Sequence, residues 1–72
     1  MAGARMACAD LTQADLTGAN FTQARLVEAN LSKAKLTETD FTFADLSGAN
    51  LDSTNLEDAD LYKTCMTDAI FP

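Results

Sequence analysis

The side chains able to do chemistry are few: two thiols, Cys8 and Cys65, and eleven carboxylates set against five Lys and Arg, with no histidine. A thiolate nucleophile needs a general base within hydrogen-bond reach, and neither a Ser nor a Cys stands beside one. Zinc needs closely spaced nitrogen or sulfur ligands, and CxxC and His are both missing. The EF-hand loop and the glycine-rich calcium-binding repeat are absent, as is a glycine loop opening a helix. The expectation is a protein that is not an enzyme, with no catalytic residue, metal or cofactor. Its net charge of −6 opposes binding to phosphate backbones and anionic lipid, and favours basic protein partners. No long apolar run and no charged segment before one occurs, so neither a membrane span nor a signal peptide is expected. The cysteine usage points to a reducing, cytoplasmic compartment.

The elements that carry these groups follow from an internal period. Leu11, Leu16, Phe21, Leu26 and Leu31 stand at every fifth position, and the same frame continues through Leu36, Phe41, Leu46, Leu51, Leu56, Leu61 and Met66 to Phe71. Two places before each of these centres stands Ala, replaced only by Thr39, Thr54 and Thr64. One place before is usually Asp or Asn, and the place after is mostly Thr or Ser in the first two thirds of the chain. On an α-helix, steps of five rotate by about 140° each, so the centres would spiral round the axis. On a plain strand an odd period sends alternate centres to opposite faces. A short extended segment that points the small residue and the centre inward, followed by a turn that resets direction, satisfies both constraints. The chain must coil, with the other three residues of each five facing solvent.

The A(D/N)LTx units, such as Ala14-Asp15-Leu16-Thr17-Gly18 and Ala49-Asn50-Leu51-Asp52-Ser53, resemble those of the pentapeptide-repeat proteins over essentially the whole chain. The resemblance implies an all-β fold, a right-handed quadrilateral β-helix with four units per coil. Residues 1–72 would then form a single solenoid domain of about three and a half coils. Phe21 and Phe41 would stack on one face in a column with Met1 and Leu61. Cys8 and Cys65 would share a face about 14 Å apart, too far for one disulfide.

Three surfaces stand out on that frame. Phe43 and Tyr62 fall on the same face in adjacent coils and, with Lys63, make a candidate partner surface, since exposed aromatics are enriched at binding sites. Asp15, Glu38, Glu57 and Asp58, relieved by Lys35, form the most acidic face, suited to a basic protein surface or to mimicry of a phosphate run; as a solvated face it would keep the solenoid soluble. Met66, Ile70 and Phe71 gather at the C-terminal end, where the frame stops without a covering helix. Open solenoid ends expose apolar cross-section and unpaired edges, so end-to-end self-association competes with the chain's being a module of a longer protein. Arg5 and Arg25 occupy Asp/Asn positions and stack towards Asp45 as a local ion pair. The expected function is a scaffold or protein–protein interaction module. The alternative, implied by the quinolone-resistance relatives within the family, is an acidic DNA mimic that regulates or inhibits a topoisomerase such as DNA gyrase.

Overall fold

The computed structural model describes residues 2–72, so Met1 and its place in the Phe21 column lie outside the described residues. Parallel bridges join residues twenty apart, from Arg5 with Arg25 and Asp10 with Asn30 to Asn50 with Ile70. A twenty-residue register over five-residue units makes each coil four-sided. Face A carries Phe21, Phe41 and Leu61; face B carries Met6, Leu26, Leu46 and Met66; face C carries Leu11, Leu31, Leu51 and Phe71; face D carries Leu16, Leu36 and Leu56. The extended segments expected from the sequence contract to single bridge residues, and longer strands do not occur among the described residues. A turn every fifth residue leaves no room for more.

Each corner is a turn closed by a hydrogen bond from the small residue to the preceding centre, as from the Ala24 N–H to the Phe21 carbonyl at 2.9 Å. The residue two places after the centre takes positive φ throughout, at Gly3, Gly18 and Gly48 and at eleven others that are not glycine. A negative then a positive φ is the pattern of a type II turn. Outside glycine that conformation is unfavourable by roughly 1–2 kcal/mol per residue, which packing and pairing must offset.

The Asp or Asn before each centre has a backbone role. Its Oδ1 accepts the N–H two residues on, as from Thr12 to Asp10 at 3.1 Å, Thr22 to Asn20 at 2.9 Å and Asp52 to Asn50 at 2.9 Å. A following Thr or Ser hydroxyl donates to the same oxygen, at 2.6 Å from Thr12 and from Ser47. These are Asx turns. They supply an acceptor for the N–H that neither the corner bond nor the inter-coil bonds engage, and they explain the A(D/N)LT pattern atom by atom.

The core is the stack of centres and small residues from Phe21 to Leu51, with Phe21 and Phe41 rings parallel at 5.6 Å between centroids. Met6, Leu11, Leu16, Leu56, Leu61 and Met66 pack on either side of it, half-buried. Thr39, fully buried, donates its hydroxyl to the Leu16 carbonyl one coil away at 2.9 Å. Thr64 does the same to Phe41 at 2.7 Å, and Thr54 donates to Leu51 within its own turn at 2.8 Å. The three departures from Ala are thereby satisfied.

Candidate functional site

The coil brings Phe43 and Tyr62 together on face A. Their rings meet edge to face with centroids 6.0 Å apart, and both side chains are more than half exposed. The Lys63 ammonium lies 5.8 Å from the Phe43 centroid and 5.5 Å from that of Tyr62, within cation–π range of both. Phe43 and Lys63 occupy the positive-φ corner position, which projects a side chain outward from the edge of the face. Round that corner, Phe43 borders a shallow hollow lined by Gln23, Ala24, Arg25, Val27 and Asp45. This hollow was not foreseen: it depends on the stacking of one coil's corner over the next.

Asp15, Glu38, Glu57 and Asp58 all lie on face D. Asp15 pairs across the coils with Lys35, and the Glu38 N–H donates to the Glu57 carbonyl at 2.9 Å. Lys35, partnered in turn with Asn55, sits inside the acidic run and divides it. Hydrogen bonds from the Thr17 hydroxyl and then its N–H hold the Asp15 carboxyl below its ordinary value, with Lys35 adding a smaller pull. Asp10 and Asp40 are lowered by Thr12 and Thr42 in the same way. These carboxylates are engaged as turn acceptors.

Face B differs. Its bridge positions read Arg5, Arg25, Asp45 and Cys65, a ladder of cations leading to an anion and a thiol. The expected pairing of Arg25 with Asp45 is secondary: Ser47 lowers the Asp45 carboxyl first through its hydroxyl and then its N–H, and Arg25 contributes least. Cys65 takes the Asx position. Hydrogen bonds from the Ser47 hydroxyl and then the Thr67 N–H lower its thiol, against repulsion from Asp45. Ser47 has one hydroxyl hydrogen, and at 2.6 Å from Asp45 against 3.2 Å from the sulfur it is directed at the carboxylate. That leaves the Thr67 N–H and the Thr67 hydroxyl, 3.7 Å from Sγ, as the donors to sulfur. Both cysteines are free and exposed.

At the C-terminal end Ile70 and Phe71 are 54% and 56% exposed, while Met66 packs against the core. Among the described residues, no cluster of His, Cys, Asp and Glu is arranged to hold a metal ion, and no helix is long and apolar enough to cross a membrane.

The family model described as pentapeptide repeats (8 copies) matches residues 4–42 and 34–71. The chain belongs to the pentapeptide-repeat family, whose members are right-handed quadrilateral β-helices. It superposes on Rfr23, a pentapeptide repeat protein of the cyanobacterium Cyanothece 51142, with a TM-score of 0.97 and 29% identity, over 100% of this chain and 50% of that one. HetL of Nostoc sp. strain PCC 7120, a pentapeptide repeat protein involved in heterocyst differentiation regulation, is 29% identical over 92% of this chain and 38% of its own, with a TM-score of 0.44. A pentapeptide repeat protein of the Arabidopsis thaliana thylakoid lumen gives a TM-score of 0.40 at 29% identity, over 96% of this chain and 55% of its own. The chain thus spans about half the length of these structures, or less. No curated protein matches the sequence.

Proposed function

We propose that residues 1–72 act as one non-enzymatic protein-interaction module, a rigid shaft that presents Phe43, Tyr62 and Lys63 on face A to a protein partner. The observation that carries this reading is the packing of the two exposed rings against each other under one ammonium. Such a cluster is an ordered apolar anchor whose rotamers are already restricted, which lowers the entropy cost of docking. Tyr62 stands where the repeat usually places Thr or Ser, and Phe43 is the one large apolar side chain among the described positive-φ corner residues.

The variant Phe43→Asn/Tyr62→Thr tests it without threatening the fold. Asn tolerates positive φ better than Phe, and Thr is the residue the repeat uses after a centre. Crosslinking in the source cells should recover a partner with the parent chain and lose it with the variant. Equal recovery by both would overturn the assignment. Self-association is separable by sedimentation of Phe71→Asp, which removes an apolar contact at the other edge of the molecule.

The acidic alternative, a DNA mimic acting on a topoisomerase such as gyrase, draws on face D. Its carboxylates are interrupted by Lys35 at the bridge position, so the run resembles a phosphate ladder poorly. Inhibition of supercoiling that disappears with Glu57→Lys/Asp58→Lys would favour that alternative over the aromatic surface.

A further inference from the structure

In the units headed by Asp10, Asp15, Asn20, Asn30, Asp40, Asp45, Asn50, Asn55 and Asp60, the N–H two residues on is bound by the Asx oxygen, at 2.9–3.2 Å. Arg5 and Arg25 replace that acceptor in two successive coils, directly above one another. The corresponding N–H groups, of Ala7 and Val27, have no acceptor among the described residues. Two backbone donors one coil apart, about 4.8 Å, are thus left without an internal acceptor on face B, in the two units whose stacked arginines are exposed. Each has the geometry that elsewhere in the chain receives an anionic or amide oxygen.

We propose that this step of face B is a binding site for a single phosphate group, free or as a phosphomonoester. Two forked guanidiniums and two N–H groups offer more donors than the two oxygens of one carboxylate can use, whereas a tetrahedral oxyanion with three free oxygens can engage both arginines and both amides. The side chains of the two donor residues, Ala7 and Val27, are short and carry no polar group to compete for the site. Glu28 leans the other way: its Cγ lies 3.1 Å from where a Cβ on Gly48 would stand, over the third coil. Asp45 has one oxygen committed to Ser47 at 3.0 and 2.6 Å. The ligand is compact by necessity, because the net charge of −6 repels an extended polyanion. Face D has a similarly uncapped unit at Lys35, but there the cation stands singly between Asp15 and Asn55. The inference is independent of the aromatic docking surface.

Amide NMR of the protein at pH 7.5, titrated with inorganic phosphate, O-phosphoserine or acetate, tests it. The Ala7 and Val27 amides should shift together and saturably with both phosphate ligands, while the Thr12 and Thr22 amides, held by their own Asx oxygens, stay in place. The variant Arg5→Asn/Arg25→Asn gives each N–H an internal acceptor, so it should keep the folded spectrum and lower affinity at least tenfold. Arg5→Lys/Arg25→Lys keeps the charge without the fork and should bind several-fold more weakly. Tighter binding of phosphoserine than of phosphate assigns the site to a monoester; the reverse order assigns it to the free ion. No saturable shift, an equal shift in the Asn variant, or acetate binding as tightly as phosphate would overturn the proposal.

Discussion

A single oxygen decides how each unit is held. Asn50 Oδ1 accepts the Asp52 N–H, so Asn50→Ala leaves that donor to solvent and should lower stability by about 0.5–1.5 kcal/mol, read from urea midpoints. Thr39→Val keeps the volume but removes the bond to the Leu16 carbonyl, which retains its corner bond from Ala19; a loss of similar size, about 1 kcal/mol, is expected. The aspartates that serve as turn acceptors add a pH dependence. Asp10, Asp15, Asp40 and Asp45 titrate below the ordinary 3.8 when folded, so their stabilisation is present above 3.8 and is lost as pH falls through the lower, folded-state values. Relief of the net negative charge acts the other way. Comparison with Asp40→Asn/Asp45→Asn, which keeps the acceptor and removes the titration, isolates the effect: the variant should lose less stability between pH 5 and pH 2.

At the scale of the unit, corners are the strained parts and their glycines are unequal. Gly18 and Gly48 both hold φ near +70°, and a Cβ at Gly18 would meet nothing within 4 Å, while one at Gly48 would meet Glu28. Gly18→Ala should be less stable by about 1 kcal/mol. Gly48→Ala should add only a little to that, because the group it meets is a flexible side chain, and thermal unfolding of the two variants side by side measures the difference. The unit was legible from the sequence: the fifth-position centres, the small residue before them and the outward placement of charge all follow from period and sterics. Phe43 and Tyr62 were placed on adjacent coils by counting along the four-unit coil that the family resemblance implies, and their rings meet edge to face. The roles of Asp and Asn were not legible, because an Asx turn depends on side-chain torsions that spacing leaves open. For the same reason Arg5 and Arg25 read only as a surface ion pair, which Arg25 makes weakly with Asp45, while the Asx acceptor they displace went unread.

Burial varies along the whole molecule in a way the uniform repeat conceals. Centres from Phe21 to Leu51 are 0% exposed, whereas Met6, Leu11, Leu16, Leu56, Leu61 and Met66 are only half-buried and Phe71 is exposed, since each coil is sealed by the coils on both sides. Amide exchange should therefore be slowest between residues 21 and 51 and faster towards residues 2–19 and 56–72. Phe41→Ala, at the centre of the aromatic stack, should cost about 3–5 kcal/mol, enough to abolish the cooperative transition of a chain this small. The twenty-residue register also carries an arithmetic for sequence change. Inserting one five-residue unit between Phe43 and Tyr62 would leave every later centre pointing inward yet advance every later surface residue by a quarter revolution, carrying Tyr62 and Lys63 away from Phe43. Inserting four units would return them to the same side, one storey further up. Indels in multiples of five thus re-address the exterior while conserving the interior, so that lineages built on this plan can shuffle their outward chemistry by slippage alone.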